Sequence, residues 1–151
     1  MKAIVQRVSE ARVTVGNQVV GQIERGVLVL LGVTHGDDET KGQWLAEKIA
    51  KLRIFPDEGG NMNRSLRDIH GDALVVSQFT LHARVRKGTR PSFNDAAPPE
   101  LAETLYEGFL VQLQSALGGR RVAHGQFGAM MQVTLTNDGP VTLVLDTESG
   151  I

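Results

Sequence analysis

No cysteine occurs in the 151 residues. Disulfides, thiolate nucleophiles and cysteine–zinc sites are thereby excluded. No apolar run is long enough to span a bilayer. The opening Met1-Lys2-Ala3-Ile4-Val5-Gln6-Arg7 has no apolar core before its charges resume, so it is not a signal peptide. A cytoplasmic protein that makes no use of a membrane is expected. Neither sign of charge dominates: 16 Lys and Arg against 17 Asp and Glu leave a formal net charge of −1. That balance argues against a protein that coats nucleic acid through many phosphate contacts, but it allows a local basic patch. One such stretch is His82-Ala83-Arg84-Val85-Arg86-Lys87-Gly88-Thr89-Arg90, and another is Arg120-Arg121. From charge alone, each reads first as a solvated surface segment.

Standard catalytic machinery is also missing. There is no Gly-rich phosphate loop with lysine, no paired-histidine metal motif and no Gly-x-Ser-x-Gly elbow. His35, His70, His82 and His124 are widely separated. No metal and no cofactor are expected. A Ser-His-Asp triad stays open, because triads are set by geometry rather than spacing.

What is present is a chain of one-domain length, able to bury a core without staples. Residues 3–15 are rich in β-branched side chains, and Arg12-Val13-Thr14-Val15 alternates cleanly. Gly16-Asn17 signals a turn, and residues 19–23 return as a hairpin partner. Val27-Leu28-Val29-Leu30-Leu31, bounded by Gly26 and Gly32, suits a strand buried on both faces. Acidic Asp37, Asp38 and Glu39 open a helix, which the dipole favours. Trp44, Leu45, Ile49 and Leu52 recur at helical spacing, with Trp44 read as core and Phe55-Pro56 as the stop. Residues 57–61 read as a loop, and residues 72–81 as one strand ending in polar residues. Pro98 and Pro99 precede Leu101, Leu105, Phe109, Leu113 and Leu117 at four-residue steps, an amphipathic helix ended by Gly118-Gly119. Residues 131–135 and 141–145 alternate on either side of Asn137-Asp138-Gly139-Pro140 and read as a terminal hairpin. The expected class is α+β: mixed, strongly curved β-sheets forming a roll or barrel-like core, flanked by two main helices, in one domain over residues 1–151.

Two stretches invite chemistry. Ser77-Gln78-Phe79-Thr80-Leu81 puts polar residues at a strand end, where a rigid scaffold presents reactive groups. Hydroxyls, a glutamine amide and backbone N–H groups there suit the oxyanion formed when an ester is attacked. A strand simply running out into a loop would look the same. Asn137-Asp138-Gly139-Pro140-Val141-Thr142 reads as a turn of ordinary composition. A cis Gly139–Pro140 bond would make it a rigid one.

Together these stretches resemble the D-aminoacyl-tRNA deacylase family of bacterial and eukaryotic type. The likeness covers essentially the whole chain. It runs from Met1-Lys2-Ala3-Ile4-Val5-Gln6-Arg7-Val8 through Leu52-Arg53-Ile54-Phe55 and Asn61-Met62-Asn63-Arg64-Ser65-Leu66. It continues through Ser77-Gln78-Phe79-Thr80-Leu81, Gly88-Thr89-Arg90-Pro91-Ser92-Phe93 and Gly125-Gln126-Phe127-Gly128-Ala129-Met130-Met131, and closes on Asn137-Asp138-Gly139-Pro140-Val141-Thr142. The resemblance implies hydrolysis of the ester in D-aminoacyl-tRNA and in mischarged glycyl-tRNA, by a homodimer with sites at its interface. It implies a pocket floor of Ser77, Gln78, Phe79 and Thr80. It also implies a cis Gly139–Pro140 gate from the partner chain that rejects L side chains. The C-terminal segment, residues 130–147, is the expected contributor to the dimer.

Phe79 and Phe93 serve either as stacking surfaces for the single-stranded tRNA end or as core. Arg84, Arg86, Lys87 and Arg90 are the cations available for RNA. Two mechanisms compete. Either Thr80 Oγ attacks the ester, with His82 two residues on as the nearest base, or backbone N–H groups near Phe79 and Thr80 hold the oxyanion while the ribose 2′-OH helps activate water. The second is favoured, because no convincing base accompanies Thr80. Alternatives are a noncatalytic RNA-binding module, a small-ester esterase, and a sister deacylase with a trans Gly–Pro turn that admits some L-aminoacyl-tRNA.

Overall fold

The structure, a computed structural model, describes residues 1–150. Its organising element is strand β1 (Lys2–Val15). One edge of β1 pairs antiparallel first with β3 (Gly26–Gly32), from Lys2 to Val8, and then with β2 (Gln18–Ile23), from Ala11 to Val15. The other edge pairs with β8 (Gln132–Asp146) along nearly its whole length. Strand β6 (Asp72–Ser77) lies parallel to β3, and short β7 (Ala123–His124) lies parallel to β6. The sheet curls until β2 meets β7. Gly21 permits this closure, since a Cβ there would lie 2.5 Å from the His124 carbonyl oxygen. The result is the α+β, nearly closed barrel expected, with helices α1 (Glu39–Lys51) and α2 (Pro99–Ala116) against one face. A small hairpin of β4 (Phe55–Pro56) and β5 (Met62–Arg64) stands apart.

The period-2 pattern explains two cores. Val27, Val29 and Leu31 of β3, with Ala73 and Val75 of β6, face the helices and meet Leu45, Ile49, Leu105 and Phe109. The intervening Leu28, Leu74 and Val76 point into the barrel, beside Val8, Val13 and Ile23. Both central strands are therefore buried on both faces, which is why β3 reads as a continuous apolar run.

Several boundaries differ from the sequence reading. Helix α1 ends at Lys51 rather than at Phe55-Pro56, because Leu52 is already extended and Phe55 pairs with Arg64. Asp38 is the N-cap, accepting from the Lys41 N–H at 2.9 Å. Asp37, one residue earlier, is buried and accepts from the Thr34 N–H at 2.7 Å and the Met1 amino group at 2.6 Å. Trp44 is 39% exposed and is not core. The buried face of α1 is Gly42, Leu45, Ala46, Ile49 and Ala50, and adjacent Trp44 points about 100° away from Leu45, with Lys48 over its ring. Leu101 is exposed as well. A four-residue step overshoots the 3.6-residue turn, so a stripe drawn through four such steps rotates off the core, and Ala102 and Tyr106 take the place of Leu101.

Two corrections touch the functional stretches. Strand β6 stops at Ser77, and Phe79–His82 forms a 3₁₀ turn. The terminal segment is not a hairpin. Residues 132–146 form one strand whose two halves both pair with β1, and residues 138–141 bulge from it. Alternation on either side of a turn signal looks identical in the two cases, because the true partner lies over a hundred residues away.

Truncating Phe109, packed from α2 against the sheet, removes the largest fully buried side chain of that helix. Phe109→Ala is expected to lower unfolding stability by about 3–5 kcal/mol, read as a reduced urea midpoint at unchanged m-value.

Candidate functional site

A cavity of about 490 Å³ opens where β3, β6 and α2 converge. Its walls are mostly apolar: Leu31 and Val33 at the end of β3, Ala97, Pro98 and Ala102 around the start of α2, and Phe127 from the loop before β8. Helix α2 can begin at this rim because Pro99 needs no N–H partner in the first turn. Ser77, Gln78 and Phe79 supply the polar end. The strand terminates there in an orderly way. Gln78 N–H still donates to the Leu31 carbonyl at 2.7 Å, and then Leu81 N–H turns back to the Gln78 carbonyl at 3.3 Å. The N–H groups of Phe79 and Thr80 lie between these two bonds.

Tyr106, the chain's one tyrosine, forms part of the far wall. Its hydroxyl donates to the Val75 carbonyl at 3.0 Å, and its ring lies 5.7 Å from that of Phe127. Burial pushes the phenol up to about 12, so it stays a neutral donor.

Thr80 is exposed and does not line the cavity; its Oγ1 accepts from Gln78 Nε2 at 2.6 Å. His82 is buried at the far end of the 3₁₀ turn, with its Nε2 lacking any protein partner. It therefore does not share a strand face with Thr80, contrary to the extended reading. No group of three or more metal-ligating side chains occurs among the described residues.

Phe79 is 57% exposed and Phe93 is 38% exposed, and they meet edge to face with centroids 5.2 Å apart at the cavity mouth. Neither is core. The basic stretch starts beside Phe93. Arg84 pairs with Asp95, and its main chain bridges to Ser92, which folds residues 84–92 into a loop. Arg86, Lys87 and Arg90 are exposed on that loop and form no ion pair among the described residues.

Gly139 and Pro140 are exposed, joined by a cis bond, and absent from this cavity's walls. A Cβ at Gly139 would lie 2.7 Å from the Val141 nitrogen, so glycine is required. Arg7 braces the bulge, a role the sequence does not advertise. Its Nε donates to the Asp138 carbonyl and its Nη1 to the Ile54 carbonyl, both at 2.7 Å. The sequence reading also missed Ala97, Ala102 and Tyr106 as cavity walls. Only the pairing of small residues with Pro98-Pro99 before a helix hinted at an open rim there.

Comparison with known proteins bears on this arrangement. The family model described as D-Tyr-tRNA(Tyr) deacylase matches residues 4–146. A D-aminoacyl-tRNA deacylase of Roseiflexus castenholzii is 61% identical, covering 97% of this chain and 92% of its own. One of Opitutus terrae is 60% identical, covering 99% of both. Among solved structures, a protein described as c-Myc DNA Unwinding Element Binding Protein superposes with a TM-score of 0.91 at 45% identity, over 97% of this chain and 98% of its own. A probable eukaryotic D-amino acid tRNA deacylase superposes at 0.80 with 19% identity, covering 95% and 97%, which speaks to the fold.

The Tyr106 phenol has a testable signature. Its value is raised from 10.0 to about 12 by burial, so between those pH values the unfolded chain ionises and the folded one does not. Stability from this group is intact below pH 10 and is lost as pH rises toward 12. Tyr106→Phe is expected to flatten that alkaline decline, measured as the difference between the two proteins' melting temperatures across the interval.

Proposed function

The chain belongs to the D-Tyr-tRNA(Tyr) deacylase family, and from that premise we propose that it is an editing hydrolase that cleaves the ester of D-aminoacyl-tRNA to free amino acid and tRNA. The observation that carries this reading is the apolar cavity with a single polar end at Ser77, Gln78 and Phe79. A charged tRNA presents a flat aromatic base, with faces suited to apolar walls, beside an ester. Such a cavity suits the base, and the polar end suits the carbonyl. Phe79 and Phe93 at the mouth offer faces for stacking. Arg86, Lys87 and Arg90 reach the phosphates near the tRNA end, with a shallow salt dependence that follows from so few contacts. We also propose that it works in the cytoplasm as a single domain. Separately, no described helix is long and apolar enough to cross a membrane.

The reaction proceeds by positioning rather than by a covalent intermediate. Thr80 Oγ1 already accepts from Gln78, and the nearest histidine in sequence, His82, is buried on the other side of the turn. Threonine without a base is a weak nucleophile. The N–H groups of Phe79 and Thr80 hold the developing oxyanion, and the neighbouring ribose 2′-OH assists an attacking water. Each such donor contributes about 10²–10³ in rate.

Chirality is enforced by exclusion. Gly139 and Pro140 of a second copy enter the cavity mouth in a homodimer, with residues 130–147 contributing to the contact. Their carbonyls hold the substrate amino group and leave no room for an L side chain. Glycine has nothing to strike the wall, so glycyl-tRNA is also cleaved.

Deacylation of matched D-Tyr-tRNA and L-Tyr-tRNA tests the reading. Release of the D form at a rate at least about a hundredfold above the L form is expected, about 2.7 kcal/mol of discrimination, with Pro140→Ala impaired or less selective. Equal release of both would favour the sister deacylase, and binding without turnover the RNA-binding module. Thr80→Ala is expected to retain activity within about tenfold, the scale of one lost hydrogen bond. A folded Thr80→Ala protein with no turnover, together with a trapped acyl-enzyme from the parent, would restore the covalent route.

A further inference from the structure

The bulge in β8 is held by side chains rather than by the main chain of β1. Pairing between β1 and β8 passes from Gln6↔Thr142 to Val8↔Asn137. Arg7 alone on β1 therefore faces Asp138, Gly139, Pro140 and Val141. The main chain of β1 cannot partner all four. Left without other bonds, the segment would be free to swing.

Two side chains replace the missing ladder. At the entry, Arg7 Nε holds the Asp138 carbonyl. At the exit, Asn137 acts as a substitute peptide group. Its Oδ1 accepts from the Val141 N–H at 2.7 Å, and its Nδ2 donates to the Val141 carbonyl at 3.2 Å. The same Nδ2 donates to Thr142 Oγ1 at 3.0 Å, and that oxygen lies 3.4 Å from Gln6 Nε2. The carboxamide thus grips both polar groups of the residue that follows Pro140 and ties them to β1. Only a carboxamide of this reach offers an acceptor and two donors together. Aspartate would keep the acceptor, lose both donations and press a carboxylate oxygen against the Val141 carbonyl.

We propose that Asn137 is a positioning residue that fixes the aim of Gly139–Pro140 and thereby sets the D-over-L selectivity of the deacylase. This rests on the exclusion gate described under the proposed function. A main-chain wall discriminates only as sharply as it is held, because a shift of about 1 Å in a positioned group is enough to cost catalysis about a hundredfold. Asn137 touches neither ester nor base, and it acts through the backbone it clamps.

The test uses the full-length protein with Asn137→Asp. Two readouts are taken: amide hydrogen exchange at Val141, and the ratio of D-Tyr-tRNA to L-Tyr-tRNA deacylation rates. Exchange at Val141 is expected to accelerate and the D-to-L ratio to fall, each by about tenfold, the scale of a lost hydrogen bond. A purely structural role would lower the melting temperature without moving the ratio. Unchanged exchange at Val141 in the folded variant overturns the clamp. Faster exchange with an intact ratio overturns the link to selectivity, while the gate itself stands. A parent protein that does not distinguish D from L overturns the gate and this inference with it. Should Asn137→Asp fail to fold, Thr142→Val removes one acceptor of the carboxamide at nearly constant shape. Its ratio is expected to fall by about threefold, the lower end for one hydrogen bond, and an unchanged ratio overturns the proposal.

Discussion

A strand has two hydrogen-bonding edges, and β1 uses both along nearly all of its length. One edge is given to β8. The other must serve β3 and β2 in turn, with the changeover between Val8 and Ala11. A flat sheet cannot hand one edge from one neighbour to another, so the sheet bends there and closes toward β7. The register slips of β8 fall at the same level, opposite residues 6–10. Bulges sharpen local twist and re-aim the chain. The segment bearing Gly139 and Pro140 is thus the counterpart, on the outer edge, of the bend that makes the barrel. Arg7 sits at this point, which explains how one side chain reaches both Ile54 and Asp138.

The cavity depends on the same sheet from its other end. Strand β6 delivers Ser77 beside Leu31 of β3, and the Val75 carbonyl accepts from both the Gly125 N–H and the Tyr106 hydroxyl. One carbonyl therefore fixes the loop carrying Phe127 and the helix carrying Ala102. With those walls apolar, the few polar groups at Ser77–Phe79 face a poorly screened setting, which under the proposed function strengthens their hydrogen bonds to a developing charge.

Much of the fold was legible because its strongest signals are local. Five consecutive apolar residues between Gly26 and Gly32 mark a strand buried twice over, and Leu105, Phe109 and Leu113 mark a helix face. What failed was local signal with a nonlocal cause. Phe79-Thr80-Leu81 is strand-forming by composition, yet the chain turns because its neighbour β3 ends at Gly32. Trp44 looks like core, yet the small Gly42, Ala46 and Ala50 let the helices approach on the adjacent face. The two halves of β8 look like a hairpin, because nothing in their own residues names β1 as the partner. At the cavity, Ser77, Gln78 and Phe79 stand out in the sequence as a polar strand end, and Phe93 as a candidate stacking surface. Arg7 does not, since an arginine in an alternating strand carries no mark of what its side chain reaches.

The separation of Gly139 and Pro140 from the cavity of their own chain has a mechanistic consequence under the proposed function. A pocket built to prefer one enantiomer by attraction needs several well-placed contacts to each side chain it accepts, and so becomes specific for that side chain. A wall that strikes only the wrong hand reads the Cα substituents and ignores the rest. Main chain is suited to such a wall, because it has no rotamers to move aside, and Gly139 cannot be given a Cβ without meeting the Val141 nitrogen. In the proposed dimer, floor and wall come from different copies of the chain. Each copy holds its wall rigid through Arg7 and Asn137, and each holds its floor through the bonds of Gln78 and Leu81. On this proposal selectivity is a property of the assembled pair, and ester activation a property of one chain.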